Sequence, residues 1–130
     1  MAITLTNAAA KAMCDALVDL VDVGAGANGT LSGHTSGDAE VFTCALSATA
    51  FGAATTASPS VATAAAISDD TSAAGGSLSG GYHRVNDQDG NEVWRGSVGT
   101  SGADLNLSSL TIGVGDTVSI TAYTVSQPTS

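Results

Sequence analysis

The sequence predicts a mainly β protein, in which one N-terminal α-helix leads into a small antiparallel β-sandwich or jelly roll. Ala, Gly, Ser and Thr dominate the 130 residues, and aromatic residues are only 4%. Side chains this small suit the thin, closely spaced layers of a sandwich. The 16 glycines also disfavour many long helices, because each internal Gly costs about 1 kcal/mol relative to Ala. At this length we expect a single domain over residues 1–130.

The helix is predicted over residues 6–23, after an N-terminal arm formed by residues 1–5. Thr6 is a suitable N-cap, and Gly24 stands where a residue with positive φ ends a helix at little cost. One apolar stripe recurs at helical spacing and is expected to face the core. This stripe consists of Ala9, Met13, Ala16, Leu17 and Leu20.

Short strands separated by turns are predicted over residues 29–127, the extent of the expected sandwich. The strand segments are residues 30–32, 40–48, 60–67, 81–86, 92–98, 104–107 and 117–126. Helix is the competing interpretation for 60–67, which is Ala-rich. Residues 69–80 are expected to form a long polar loop. In the last strand, Val118, Ile120 and Ala122 are expected to point inward.

The charge balance restricts the partners. The chain has 12 acidic and three basic residues and a formal net charge of −9, which disfavours binding to nucleic acid or to an anionic membrane surface. No apolar run approaches the length of a membrane span. The first residues lack the basic and apolar segments of a secretory signal, so we expect assembly in the cytoplasm.

The residue types that most often carry chemistry are sparse. Cys14 and Cys44 are predicted to be small buried hydrophobes, with a disulfide as the alternative. His34 and His83 are predicted to lie at the surface or in an interface, because neither stands in a catalytic or zinc-binding motif. We assign no catalytic, cofactor-binding or metal-binding residues and expect no enzymatic activity.

Acidic clusters and glycine pairs are predicted to be structural. The adjacent Asp69 and Asp70 are expected to be solvated charges. Residues 86–92 resemble the start of a calcium loop but lack its later ligands, so we predict a hairpin turn. A weak cation site at Asp87 and Asp89 remains the alternative there. The Gly-x-Gly pairs at 24–26 and 113–115 are typical of turns rather than phosphate loops.

The strongest hairpin signal spans residues 81–98, with Gly90 available for positive φ in its turn. It carries four residues of types enriched at interface hot spots, and they are our candidates for partner contact. These candidates are Tyr82, Arg84, Trp94 and Arg95. In the alternative interpretation, Trp94 fills the core and the arginines offset nearby acids. Both interpretations remain open at this point.

Six runs of the chain resemble small virion proteins of tailed bacteriophages, and together they extend over nearly the whole sequence. The runs are NAAAKAMCDALVDLVD (7–22), AFGAA (50–54), AISDDT (66–71), RVNDQDG (84–90), GADLNL (102–107) and GDTVSI (115–120). The sequence departs from the pattern at residues 31–37, where an extended strand ending in Arg-Thr-Gly is usual. This departure affects the length expected for the first strand.

The resemblance points most to capsid decoration, or cement, proteins. It implies a structural protein on the capsid exterior that binds the major capsid protein and holds neighbouring subunits together. It implies no cofactor and no site residues, and we expect self-association as a dimer or trimer. Two alternatives remain. One is a tail, collar or fibre-base protein, and the other is a carbohydrate-binding module, which the three Trp and Tyr residues make less favourable.

Overall fold

The structure, a computed structural model, describes residues 3–130 and confirms a mainly β chain with one N-terminal helix. Helix α1 spans Asn7–Asp19. The strands are β1 (Thr30–His34), β2 (Glu40–Ala45), β3 (Ser60–Thr63), β4 (Gly76–Ser77), β5 (Tyr82–Asn86), β6 (Glu92–Gly99), β7 (Leu105–Asn106), β8 (Thr111–Ile112) and β9 (Thr124–Gln127). The predicted arm at 1–5 lies partly outside the described residues. Within it, the Leu5 N–H donates to the Thr129 carbonyl (2.7 Å).

Helix α1 begins as predicted, because the Thr6 hydroxyl accepts a hydrogen bond from the Ala9 N–H (3.1 Å). The last predicted turn, Leu20–Asp22, is a 3-10 turn rather than α-helix, and Gly24 follows with a φ of +129°. The extent predicted for the helical segment is therefore nearly right.

The predicted core stripe of α1 is wrong. The buried side chains are one position further along, whereas Met13 and Leu20 are about half exposed. They are Ala10, Cys14, Val18 and Val21. Both stripes are apolar, so periodicity alone cannot rank them. Packing of α1 against β3 and β9 selects the stripe with the smaller side chains.

The largest sheet has five strands in the order β2-β1-β5-β6-β7, and two small sheets pair β3 with β9 and β4 with β8. All pairs are antiparallel except β6 with β7, which run parallel. The prediction of a wholly antiparallel sheet is therefore wrong at this edge. The Asp104 carboxylate, just before β7, accepts bonds from the Ser97 N–H and hydroxyl (both 3.0 Å), and this holds the returning chain beside β6.

The last predicted strand, 117–126, is regular only in β9. Before it the chain is extended, with a single bridge between Val118 and Asp70. Val118 and Ile120 are buried as predicted, but Ala122 is exposed and Tyr123 is buried instead. The large Tyr123 side chain takes the inward place because its hydroxyl finds hydrogen-bond partners inside.

Two other segments were nearly as predicted. Residues 60–67 contain strand β3 and no helix. The predicted loop at 69–80 is irregular except for β4. In its acid pair, Asp69 is exposed as predicted, but the Asp70 carboxylate accepts from the Thr43 N–H (2.8 Å) and the Ser72 N–H (3.0 Å). Asp70 therefore ties this loop to β2, at the edge of the five-stranded sheet.

The core lies on one face of the five-stranded sheet. Leu31, Phe42, Cys44 and Val85 are fully buried there. Cys14 and Cys44 are both buried and free, so the prediction that they act as small hydrophobes is confirmed. Burial also raises the pKa of the Cys44 thiol, which keeps it protonated.

Candidate functional site

The predicted hairpin is confirmed as β5 and β6, and its turn is held by its own carboxylates. The Asp87 carboxylate accepts from the Asn91 N–H and the Asp89 N–H (both 2.9 Å), and Gly90 has a φ of +84°. The bond from Asn91 is the main reason that the pKa of Asp87 is lowered. Asp89 accepts from the Ala25 N–H (3.0 Å). These carboxylates organise a turn, and no group of three potential metal-ligating side chains occurs within residues 3–130.

The four predicted contact residues do not share one surface. Arg84 pairs with Arg95 across the ladder, and Val85 pairs with Trp94. Paired residues lie on the same face, and successive residues alternate between faces. Since Val85 is in the core, Trp94 lies on the core face. Tyr82, Arg84 and Arg95 lie on the opposite, outer face of the sheet.

Trp94 is half-buried against the core. Its ring lies 5.8 Å from that of Phe51, and its Nε1–H donates to the Tyr123 hydroxyl (2.9 Å). The alternative interpretation, in which Trp94 fills the core, therefore describes this residue better than a role as an exposed contact.

His83 was predicted to lie at the surface or in an interface, and the surface position is wrong, because it is fully buried between the sheet and Tyr123. A carbonyl oxygen only accepts, so the contact with Ser97 O (3.0 Å) places the hydrogen on His83 Nδ1. The other nitrogen, Nε2, then accepts from the Tyr123 O–H (2.7 Å). The result is a chain from Trp94 through Tyr123 and His83 to Ser97 in which every polar group has a partner.

Burial makes this network favour neutral groups. It lowers the pKa of His83 and raises the pKa of Tyr123, chiefly by desolvation. Alternation along β5 could have placed His83 on the same face as Val85. In the sequence, however, His83 stands between the polar residues Tyr82 and Arg84, which lie on the other face, so the apolar alternation is hard to recognise.

We expect acid to weaken the fold through His83. The pKa of His83 in the native state lies below the usual value of about 6.5. At a pH between the native and the unfolded pKa, the unfolded chain therefore binds a proton and the native state does not. Stability due to the neutral ring is complete above about pH 6.5 and is lost as the pH falls below it. The loss cannot exceed about 1.4 kcal/mol for each pH unit between the two pKa values.

Urea unfolding at about pH 7.5 and about pH 5.5 tests this for the wild type and His83→Gln, which removes the titrating ring. His34 and all carboxylates remain in both proteins, so they serve as the internal control. The free energy of unfolding should fall more steeply in the wild type. Equal losses would show that His83 does not carry the effect.

The outer face of the sheet holds a layered stack of side chains. His34, also predicted to lie at the surface or in an interface, ends β1 and is only 6% exposed. Its ring stacks on that of Tyr82 (5.4 Å between centroids, 9° between planes). From the neighbouring strand, the guanidinium carbon of Arg95 lies 4.3 Å from the Tyr82 centroid. Because β1 and β6 flank β5, these groups cover both faces of the Tyr82 ring.

The two arginines contact the Glu92 carboxylate in different ways. Arg95 donates two hydrogen bonds to Glu92, from Nε to Oε1 (2.9 Å) and from Nη2 to Oε2 (3.2 Å). Arg84 Nε lies 3.2 Å from Glu92 Oε1, but its N–H is not aligned, and this atom has no hydrogen-bond partner within the described chain. The expectation that the arginines offset nearby acids is met fully only by Arg95.

Beside this stack is a polar depression of about 190 Å³, which we call the outer cleft. It is lined by Thr30, Ser32, His34, Glu40, Thr43, Arg84, Asn86 and Gly90. Four buried side-chain atoms in residues 3–130 lack a partner, and all four belong to this lining: His34 Nδ1, Thr43 Oγ1, Arg84 Nε and Asn86 Oδ1. Buried polar atoms are nearly always hydrogen-bonded in native proteins, so their clustering marks the outer cleft as the candidate site.

Only Arg84 among the lining residues was predicted as a contact candidate. The others come from β1, β2, β5 and the 87–91 turn, and their convergence depends on the register of β1 with β2 and β5. In residues 3–130 no helix is long and apolar enough to cross a membrane. No protein-family model, curated protein or solved structure matches the chain.

Proposed function

We propose that this chain is a structural virion protein that binds the outside of a phage capsid and stabilises contacts between major capsid protein subunits. The observation that carries the proposal is an apolar side of α1, continued by the 3-10 turn and Val23, that is left about half exposed. Met13 is 50% exposed, Leu20 51% and Val23 54%. The resemblance of the sequence to virion proteins supplies the kind of partner that would cover these side chains.

Burial of this apolar side supplies binding energy without any chemical step. Fully burying one Met or Leu side chain contributes about 1.5–3 kcal/mol, and a specific contact buries on the order of 800 Å² on each partner. When many symmetric copies each bridge neighbouring subunits, modest contacts together oppose rupture of the shell. Self-association as a dimer or trimer would multiply the effect further.

The net charge of −9 supports a place on the capsid exterior, because an acidic surface is repelled by packaged nucleic acid. It also supports assembly at high concentration in the host cytoplasm, since like charges keep separate copies in solution. The three Lys and Arg residues are too few to neutralise the 12 acidic residues.

For the fold we propose a small sandwich or jelly roll. The second layer would be the pair β3 and β9, carried with α1 on the core face of the five-stranded sheet. The support is that α1 packs against both strands, and that Tyr123, next to β9, reaches His83 on β5.

Quantitative mass spectrometry of purified particles tests the location. We expect the chain to be present in copy numbers comparable to the major capsid protein. A single ring of copies would support the tail or collar alternative instead. Intact particles without any trace of the chain would contradict a virion role.

A binding measurement tests the apolar side of α1. We expect Met13→Asp with Leu20→Asp to weaken attachment to capsids that lack the protein by about tenfold or more, because charges would enter a dry interface. The matched control is Val114→Asp, which changes a side chain that is 86% exposed in the 113–116 turn and should bind as the wild type does. If the α1 variant binds equally well, this face is not the contact.

The carbohydrate-binding alternative has less support. Both faces of the Tyr82 ring are covered by His34 and Arg95, and Trp94 lies on the core face. An open aromatic platform of the kind that sugars prefer is therefore not found at this hairpin.

A further inference from the structure

We propose that the outer cleft receives the carboxylate of one acidic side chain, Asp or Glu, from a partner protein. The inference deepens the proposed function and rests on it for the source of the carboxylate, the coat subunit. The cleft itself is argued from this chain alone.

The three cations of the chain differ in how fully they are paired with carboxylates. The chain has three Lys and Arg residues. Lys11 is bonded to Asp15, and Arg95 grips Glu92. Arg84 lies in the outer cleft with its side chain 24% exposed, and its one ion pair within residues 3–130 is with Glu92, which Arg95 already binds. A guanidinium carries five N–H donors, and its best complement is a planar carboxylate that can take two of them.

Other hydrogen-bonding side chains surround Arg84 in the outer cleft. The Ser32 hydroxyl receives a bond from the Asn86 amide (3.2 Å), so its own hydrogen is available for His34 Nε2 (2.9 Å). His34 Nδ1 has no hydrogen-bond partner in residues 3–130, but it lies 3.6 Å from Asp38 Oδ1. Thr43 Oγ1 adds a free hydroxyl. Two donors without a partner, the Arg84 Nε–H and the Thr43 hydroxyl, therefore line one small space.

The remaining groups that line the cleft restrict the chemical class of the ligand. Asn86 Oδ1 is a free acceptor, which suits an N–H of the backbone that carries the incoming acid. Glu40 also lines the cleft, and its charge repels a multiply charged phosphate more strongly than a single carboxylate. The closed Tyr82 stack disfavours an acidic sugar. A volume of about 190 Å³ accommodates a side-chain end group.

Acetate is the simplest probe of the site. We expect a titration with sodium acetate, against sodium chloride at equal ionic strength, to give saturable NMR shifts of the Arg84 Nε–H and the Asn86 side-chain amide. The dissociation constant should be on the order of millimolar, as for one end group without the rest of a partner. The Arg95 Nε–H, which is already bonded to Glu92, should move little and is the internal control.

Two variants, with Arg95→Gln as the control, locate the binding. Arg84→Gln should weaken acetate binding by about tenfold or more, read from the Asn86 amide, whereas Arg95→Gln should weaken it far less. Thr43→Val keeps the branched shape in β2 and removes only the free hydroxyl. It should also weaken acetate binding, while the melting temperature stays the same or rises because an unpaired buried group is gone. This combination separates a ligand contact from a structural role.

A titration with glucuronate distinguishes a protein side chain from an acidic sugar as the source of the carboxylate. Binding no tighter than acetate supports a protein side chain. Binding at least about tenfold tighter would overturn that assignment in favour of an acidic sugar. Equal shifts with acetate and chloride, or shifts that do not saturate, would overturn the carboxylate site. Neither result depends on the copy number in particles, so failure of the site and failure of the virion role can be distinguished.

Discussion

Replacing Gly33 by Ala is expected to lower the free energy of unfolding by about 3 kcal/mol, the upper part of the range for an overpacked core. Gly33 lies on β1 directly opposite Phe42 of β2, and the Phe42 ring covers it. A Cβ at this position would be 2.2 Å from Phe42 Cε1 and 2.8 Å from Cδ1. Phe42 is fully buried, so its ring cannot move away without disturbing the rest of the core.

Urea unfolding of a double-mutant cycle measures this directly. With Phe42→Leu as the background, Gly33→Ala should cost less than in the wild type by about 1 kcal/mol or more, because the ring that it strikes is gone. Gly52→Ala is the matched control, since its Cβ would meet only the Thr63 carbonyl at 3.8 Å, and it should change stability by no more than about 0.5 kcal/mol. Equal costs of Gly33→Ala in both backgrounds would show that Phe42 is not the obstacle.

Replacing Tyr123 by Phe is expected to cost about 3 kcal/mol. The change removes one oxygen and leaves without a partner the buried His83 Nε2 and the Nε1–H of the half-buried Trp94. Each unpaired buried group costs about 1–3 kcal/mol. The ring of Tyr123 and its contact with Phe51 are retained, so loss of packing contributes little.

The other tyrosine provides the control. Tyr82→Phe removes a hydroxyl that bonds to Asp38, whose side chain is 64% exposed. Water can replace that bond, so the cost should stay at about 1 kcal/mol or below. Fluorescence of Trp94, the only tryptophan, follows both unfolding and the loss of its bond to Tyr123. If the two variants are equally destabilised, the buried network contributes no more than an exposed hydroxyl does.

Local chemistry explains the elements that were predicted from sequence. Thr6 caps α1 through a bond to Ala9, three residues away, and the 87–91 turn closes through the Asp87 side chain and the positive φ of Gly90. The β-rich class follows from small side chains and frequent glycine. Each of these signals acts over a few neighbouring residues and survives whatever the rest of the chain does.

The candidate site was only partly predictable. Arg84 stood out as one of very few cations, but Asn86 was read as part of a turn, and Thr43 as an ordinary strand residue. They meet because Ser32 on β1 pairs with both Thr43 and Arg84. Register of this kind is a property of strand pairs far apart in sequence, and a shift by one residue would exchange the two faces.

The sequence by itself determined the β-rich class, the start of the helix, the central hairpin and the burial of both cysteines, because these depend on composition and near neighbours. Tertiary structure alone decided which apolar stripe of α1 is buried, that Trp94 faces inward while Arg84 and Arg95 face outward, and that His83 is enclosed. Side chains compete for one core volume, and only the assembled sheet decides which of two similar faces fills it.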